Sequence, residues 1–154
     1  MSNSQKEIIK YHRAFNFVVS FNGGGLNIQN MGWQEVSGIG VELDIEEFAE
    51  GGQNQFAWRL PKPPKYKNLV LKRASSATHK ELIDWANNAF KNFAFAPTTV
   101  VVSITSENDK ATPIRTWNFV DAYPVKMQIT DLSAQKNELI IETLELAYKY
   151  FEVL

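Results

Sequence analysis

The segment WNFVDAYPVKMQITDLSAQKNELIIETLELAYKYF, Trp117 to Phe151, decides the fold of this chain. Apolar and polar residues alternate over 123–129, which is the period of a half-buried β-strand. The polar segment 131–137 that follows is rich in turn-forming residues. A second apolar run then covers 138–151. The stretch therefore predicts two strands joined by a turn.

The second of these strands carries apolar residues on both faces near its start. Leu144 and Leu146 share one face, and Thr143 and Glu145 lie on the other. We expect the two leucines in the core of the chain. A strand this long can also present its other face to a neighbouring chain.

Alternation predicts most of the remaining elements. We expect further strands over 15–21, 33–37, 41–46, 56–60, 66–73, 98–105 and 114–123. The glycine-rich segment 22–25 is typical of a turn, and it lacks the Lys-Ser/Thr and the helix that a phosphate loop needs. Pro61, Pro63 and Pro64 are expected to break the return strand that begins at Phe56.

One amphipathic helix is predicted after Thr78. Thr78 is expected to be its N-cap, with Glu81 completing a capping box. The inward stripe is predicted to contain Leu82, Ala86, Ala89 and Phe93, flanked by Trp85 and Phe90. The polar outer face contains Asp84, Asn87, Asn88 and Lys91.

Together these patterns predict a mainly β fold. We expect an antiparallel two-sheet sandwich or a distorted β-barrel, with one α-helix packed on the outside. Residues 1–13 form a polar N-terminal arm, and residues 14–154 form a single β domain.

Composition excludes several classes of protein. The 154 residues have a formal net charge of -1, so no global field attracts nucleic acid or membrane. The absence of cysteine removes disulfides, thiolate nucleophiles and cysteine zinc sites. No apolar run approaches the roughly 18 residues of a membrane span, and the first residues do not resemble a secretory signal. We expect synthesis in the cytoplasm.

Residues for catalysis or ligand chemistry do not form a recognisable set. His12 and His79 are the only histidines, and neither has a partner at metal-ligand spacing. Hydrolase, zinc-protease and dinucleotide motifs do not occur. We predict no enzyme activity, no cofactor and no metal site.

Charge is segregated between two neighbouring stretches. Acidic residues occupy one stretch that has no base: Glu42, Asp44, Glu46, Glu47 and Glu50. Basic residues occupy the next, which has no acid: Arg59, Lys62, Lys65, Lys67, Lys72 and Arg73. A calcium site is disfavoured because an extended strand separates the carboxylates. The basic stretch, beside aromatic residues, could bind nucleic acid, or both stretches could be solvated faces that neutralise each other across strands.

Several motifs carry a resemblance to a known family. They are W-N-F-x-x-A-Y-P-V-K, D-L-S-A-x-x-N-E and I-E-T-L-E-L-A-Y within 117–148, preceded by GIGVE (38–42), EGGQN (50–54), Leu60-Pro61, YKNLVLKR (66–73) and ELIDWANNAF (81–90). Their order resembles the tail tube family of contractile phages and phage-like injection systems over roughly residues 14–150. Ala74 and the segment Lys149 to Phe151 depart from the family pattern.

The resemblance implies a structural protein. Its expected partners are copies of itself in stacked hexameric rings, a contractile sheath protein, baseplate and cap proteins, and lumen cargo or a tape-measure protein. Nucleic acid is expected only if the lumen belongs to a phage. An adaptor ring between tube and baseplate is the alternative within the family, and a monomeric β-barrel that binds a small ligand is the alternative outside it.

The segregated charges and the amphipathic helix, together with the resemblance, suggest candidate contact residues. A ring-to-ring contact is predicted for Glu42, Asp44, Glu46, Glu47, Glu50, Arg59, Lys62 and Lys65. A sheath contact is predicted for the outer face of the helix, Asp84, Asn87, Asn88 and Lys91. The final location is then a phage-like particle, a virion, or an extracellular or cell-anchored injection machine.

Overall fold

Ten strands and one helix are present in the part of the chain that the structure describes. The computed structural model describes residues 17–52, 55–106, 112–135 and 138–154. The predicted N-terminal arm, His12 within it and all of the hairpin turn that the sequence predicts at 107–110 lie outside the described residues. The elements are β1 (Phe17–Gly23), β2 (Leu26–Gly32), β3 (Glu35–Ser37), β4 (Val41–Phe48), β5 (Trp58–Tyr66), β6 (Leu69–Ala74), α1 (Lys80–Asn92), β7 (Thr98–Thr105), β8 (Pro113–Ile129), β9 (Ile141–Ala147) and β10 (Tyr150–Val153).

The strands form two antiparallel sheets. The large sheet has the order β2-β1-β7-β8-β9-β6-β3, and β10 pairs with β8 as well. Strands β4 and β5 form the second sheet by themselves. The predicted fold class is confirmed in its sandwich form, because the described strands are layered around one core and do not close into a barrel.

Strand β8 holds the large sheet together. Its first half pairs with β7 and β10, and its second half pairs with β9. Pro124, expected at a strand start, bulge or edge, is fully buried next to the register shift between Pro124 and Lys126. The bulge accommodates a residue that cannot donate a ladder hydrogen bond.

One core lies between the layers. It contains apolar residues of β1, β2, β6, β7, β8 and β9 together with the inner face of α1. Leu144 and Leu146 belong to it, as predicted. Trp85 of the helix is buried, and its indole N–H donates to the Ala96 carbonyl at 2.7 Å, so its polar atom is satisfied inside the core.

The last predicted strand is divided in two. Residues 141–147 form β9 and 150–153 form β10, with a break at Tyr148 and Lys149. Both strands keep the same register along β8, since Ala147 lies opposite Tyr123 and Tyr150 lies opposite Val120. The break is opposite Asp121, whose φ of 54° interrupts the regular pleat of β8.

Two expectations for the return strand are wrong. The prolines do not break it, because β5 runs through them from Trp58 to Tyr66. Proline is tolerated there since β5 pairs only with β4 and leaves its other edge unpaired among the described strands. The predicted strand over 66–73 begins at Leu69, because Tyr66 still belongs to β5. Strand β2 was not predicted, although Leu26 and Ile28 alternate within it.

The ends of the helix also differ from the prediction. His79, with φ 60°, is the N-cap and gives no side-chain cap hydrogen bond, while the Thr78 hydroxyl contacts Ser76. At the other end, Phe93 adopts a left-handed conformation and is 84% exposed, so it leaves the inward stripe. Phe90 is also exposed, and Leu82, Trp85, Ala86 and Ala89 form the buried face.

Candidate functional site

The hairpin of β4 and β5 is the feature of this fold that most needs a partner. It pairs with none of the other described strands. Almost every residue in it is exposed. Because an isolated two-stranded hairpin is marginally stable in water, its position depends on the contacts at its base and on whatever covers its faces.

One face of the hairpin is apolar. The register places Val41 opposite Tyr66, and Leu43 and Ile45 opposite two prolines. We define the apolar face as Val41, Leu43, Ile45, Pro61 and Pro64. Its three aliphatic side chains remain 50–54% exposed. A contiguous row of this kind marks a surface that contacts another protein.

The opposite face of the hairpin is charged near the base and apolar near the tip. Glu42 lies opposite Lys65, and the Lys65 ammonium group donates a hydrogen bond to the Asp44 carboxylate. This hydrogen bond, together with the Asp44 charge, raises the pKa of Lys65 above its ordinary value. Towards the tip, the partners across the strands include apolar residues: Glu46 lies opposite Leu60, and Phe48 lies opposite Trp58. An ion pair across the two strands therefore forms at Asp44 and Lys65.

Aromatic rings fix the base of the hairpin. Tyr66 contacts the rings of Tyr148 and Phe151, with centroid distances of 5.9 and 5.4 Å. The Tyr148 hydroxyl donates to the Lys67 carbonyl at 2.6 Å. Burial is the larger cause, and the electrostatic effect of the neighbouring Tyr66 the smaller one, that raises the pKa of Tyr148 to about 12. These contacts join the base of the hairpin to the end of β9 and to β10.

Glycine is required where the chain enters the hairpin. Gly38 has φ +84°, and a Cβ there would lie 1.9 Å from the Asn68 carbonyl oxygen. A few residues further on, the Lys67 amide donates to the Gly40 carbonyl at 3.2 Å. The close approach of the two hairpin ends needs a residue without a side chain.

The predicted ring-stacking residues all lie on this hairpin or its loop. Glu42, Asp44, Glu46 and Glu47 are on β4, Glu50 is in the loop, and Arg59, Lys62 and Lys65 are on β5. The structure brings Asp44 and Lys65 together and places Glu47 opposite Arg59. Neutralisation of charge within one chain, an alternative that the sequence left open, therefore occurs at Lys65. The stacking role itself stays a prediction.

The basic stretch is not one continuous surface. Lys72 lies on β6 and contacts Glu35 at 3.7 Å. Arg73 is buried, donates from Nε to Glu142 at 3.0 Å, and stacks over the Trp33 ring at 5.3 Å. Its assignment to an exposed charged face was wrong. Sequence alone did not reveal the buried carboxylate partner, which is 69 residues away.

The predicted sheath-facing residues lie on the outer side of α1. Asp84, Asn88 and Lys91 are exposed, and Asn87 is half-buried. Asn88 accepts a hydrogen bond from the Asn92 side chain at 3.1 Å. The amphipathic pattern thus placed the polar face correctly, and contact with a sheath remains a prediction.

Two apolar surfaces were missed. One is the apolar face of the hairpin. The sequence shows its alternation but does not show whether other residues of the same chain cover it. The other is the aromatic group Phe93, Phe95 and Tyr123, whose rings meet edge-on at 4.9 and 5.7 Å at the end of the helix. All three rings are exposed.

Within the described residues, no helix is both long and apolar enough to cross a membrane.

Comparison with known proteins gives the family. Residues 13–152 match the family model of the T4-like virus tail tube protein gp19. Among solved structures, a chain of the anti-feeding prophage (AFP) baseplate, 6-fold symmetrised, is 26% identical, with a TM-score of 0.85 over 96% of this chain and 97% of that chain. Comparison with curated protein sequences gives no match.

Two further structures share the fold. A chain of the sheath-tube complex of PVC, an extracellular contractile injection system, in its extended state is 21% identical, with a TM-score of 0.80 over 100% of this chain and 98% of that chain. The crystal structure of an Hcp protein is 13% identical, with a TM-score of 0.58 over 88% of this chain and 89% of that chain.

The family match spans nearly the whole described chain, and it agrees with the order of motifs along the sequence. The resemblance predicted from those motifs is confirmed. This chain belongs to the family of the T4-like virus tail tube protein gp19.

Proposed function

We propose that this tail tube protein forms hexameric rings that stack into the rigid inner tube of a contractile injection particle. The observation that carries the proposal is the half-exposed apolar face of the hairpin, Val41, Leu43, Ile45, Pro61 and Pro64. A soluble monomer rarely leaves such a row uncovered. A neighbouring copy of the chain covers it when subunits associate in a ring or a stack.

The expected partners follow from the particle. They are a contractile sheath protein around the tube, baseplate and cap proteins at its ends, and lumen cargo or a tape-measure protein inside. The similarity to chains from an AFP baseplate, a PVC sheath-tube complex and an AFP tube-terminating cap supports this environment. Nucleic acid is a partner only if the particle is a phage.

An adaptor ring between tube and baseplate is the second candidate. The match to a chain of the AFP baseplate is the observation that favours it. Copy number separates the two functions. An adaptor contributes a single ring to each particle, whereas the main tube protein is present in many rings, so quantitative mass spectrometry of purified particles distinguishes them.

The alternative of a monomeric ligand-binding barrel has less support. The described strands do not close into a barrel, and a cleft of about 480 Å³ lies between the end of β8 and the start of β9. A monomeric ligand-binding protein would also leave the apolar face of the hairpin exposed to water.

The test compares two exposed apolar surfaces. The full chain is expected to form rings or tubes by light scattering and negative-stain microscopy. The double variant Leu43→Ser/Ile45→Ser should remain folded and monomeric, because both side chains are already half exposed. Phe90→Ser, which removes a helix side chain that is 44% exposed, is the matched control and should still assemble. A wild-type chain that stays monomeric at all concentrations would overturn the proposal.

A further inference from the structure

A polar cleft lies beside the N-cap residue of α1, His79. Its volume is about 370 Å³. The residues that line it come from the β2–β3 connection, the end of β6 and the segment that leads into the helix. Its polar side chains belong to Trp33, Gln34, Arg73, Ser76, Thr78 and His79.

Two residues that line this cleft carry buried donors without acceptors. The Trp33 indole Nε1 and the Arg73 Nη2 have no hydrogen-bond partner among the described residues. The two residues are 8% and 5% exposed. Both groups can only donate, so whatever satisfies them must supply acceptor atoms. Buried donors without partners are rare in folded proteins and call for an unobserved acceptor.

The guanidinium is held in a fixed position. Its Nε donates to Glu142 at 3.0 Å, and the other oxygen of that carboxylate accepts from the Ser75 hydroxyl at 2.9 Å. The central carbon of the guanidinium lies over the Trp33 ring, 5.3 Å from its centroid. Glu142 does not line the cleft. The ion pair therefore orients Arg73 without using its Nη2 donor.

The rest of the lining is also rich in donors. Ser76 and Thr78 present hydroxyl groups 2.9 Å apart, and either can act as the donor. The N-terminus of the 13-residue helix α1 opens here without a side-chain cap, and its partial positive charge is offset in part by the Glu81 carboxylate, 3.6 Å from His79 Nδ1. No Asp or Glu is among the residues that line the cleft.

We propose that this cleft binds a small oxyanion, a phosphate or a carboxylate group, through the N–H donors of Trp33 and Arg73. An oxyanion supplies several acceptor oxygens and is favoured both by the arginine and by the helix N-terminus. Both donor atoms are covered in the unliganded chain, so a side chain that lines the cleft must move when the ligand binds. The oxyanion can be dissolved phosphate or a carboxylate of a neighbouring polypeptide.

The experiment measures binding of phosphate and acetate to the full chain, in any assembly state, by calorimetry and thermal unfolding. Sodium chloride at equal ionic strength is the reference. We expect saturable binding and a rise in the unfolding temperature. Trp33→Phe removes the indole donor but keeps an aromatic ring, and it should weaken binding about ten-fold, the effect of one hydrogen bond to a charged group. The control Trp117→Phe changes a half-buried tryptophan that does not line the cleft.

A second measurement is independent of stability. The Trp33 indole N–H resonance, one of four in the chain, should move on addition of the ligand while the other three stay fixed. If Trp33→Phe does not fold, Arg73→Lys serves instead, because lysine keeps the positive charge beside Glu142 and removes the Nη2 donor. Equal ligand effects in the wild type and the donor variant, or no saturable binding of either anion, would overturn the proposal.

The same experiment identifies the source of the oxyanion. If dissolved phosphate is the ligand, phosphate binds more tightly than acetate, and assembled and free subunits bind it equally. If a neighbouring chain supplies a carboxylate, acetate binds to free subunits and assembly abolishes the site for added anions. Both results support the cleft as an oxyanion site, and neither depends on whether the assembly is a tube.

Discussion

The hydroxyl of Tyr148 donates a hydrogen bond to the Lys67 carbonyl oxygen at 2.6 Å. These residues are 81 positions apart in the sequence. Tyr148 occupies the break between β9 and β10, and Lys67 directly follows the hairpin strand β5. The bond therefore connects the exposed hairpin to the strand pair that closes the core, and it positions the apolar face relative to the body of the subunit.

Replacing this tyrosine should change how stability depends on pH. Burial raises the pKa of Tyr148 to about 12, above the ordinary value of 10.0. The folded state then keeps a proton that the unfolded state has released, so this contribution is complete below pH 10 and is lost as the pH rises towards 12. Tyr148→Phe should lower stability by about 1 kcal/mol at pH 8 and flatten the decline between pH 10 and 12.

Urea unfolding at pH 8, 10 and 11.5, with the wild type as reference, measures both effects. A variant with the same alkaline decline as the wild type would show that other groups control stability in this range.

The core face of β9 should be far more sensitive than its other face. Leu146 is fully buried and Leu144 is 5% exposed. Either leucine replaced by alanine should cost about 2–5 kcal/mol, since the side chain leaves a cavity. Thr143→Ser is the matched control on the other face, where the side chain is half-buried. Chemical denaturation of the non-assembling variant Leu43→Ser/Ile45→Ser provides the measurement, and equal losses on both faces would mean that both are buried within one chain.

Period-two alternation was sufficient to predict these leucines. It identifies which residues share a face, and for Leu144 and Leu146 the apolar face was the buried one. The same pattern in Val41, Leu43 and Ile45 belongs to a face that stays half exposed. Alternation cannot distinguish these cases, because the burial of a strand depends on which distant elements pack on it.

Long-range pairing explains most of what the sequence did not predict. Arg73 belongs to a basic stretch, and only its distant partner Glu142 makes burial favourable. The division of the last strand follows from the backbone angle of Asp121 on another strand. Local motifs failed at the helix N-terminus as well, where Thr78 bonds to Ser76 and His79 takes the cap position.

Gly38→Ala tests the entry to the hairpin. The added methyl group would meet the Asn68 carbonyl at 1.9 Å, and the φ of +84° is unfavourable for alanine. We expect a loss of at least about 1 kcal/mol and a shift of the hairpin that impairs assembly. Gly51→Ala is the control, because no atom lies within 4 Å of its added methyl group. Unfolding curves of the two variants that coincide would contradict this expectation.

The outer face of α1 should matter for the sheath and not for the ring. Asp84 is exposed and lies opposite the buried stripe of the helix. Asp84→Lys should leave rings intact and reduce the amount of sheath that co-assembles around the tube. Asp131→Lys, an exposed charge reversal between β8 and β9, is the control. If Asp84→Lys abolishes rings while the remaining tubes bind sheath normally, the helix does not face the sheath.

Reversing the acidic residues near the hairpin tip tests the predicted ring-to-ring contact. Glu46, Glu47 and Glu50 are exposed, so the triple substitution to lysine should leave the subunit folded. In a stack, each ring must complement the next, and a charged contact is repeated at every subunit. Exposed pairs contribute only roughly 0–1 kcal/mol each, and salt screens them over about 8 Å at physiological ionic strength. We therefore expect single rings that no longer stack, and wild-type tubes that shorten at high salt.

A charge swap separates contact between rings from charge balance within the hairpin. Arg59 lies opposite Glu47 on the same hairpin, so the triple variant also creates a local repulsion. Adding Arg59→Glu and Lys62→Glu removes that repulsion and restores opposite charges between rings if the two halves meet there. We expect this variant with five substitutions to form stacked rings again in negative-stain microscopy. Normal tubes from the triple variant at both low and high salt would leave these charges as a solvated face, and stacking would then depend on the apolar face alone.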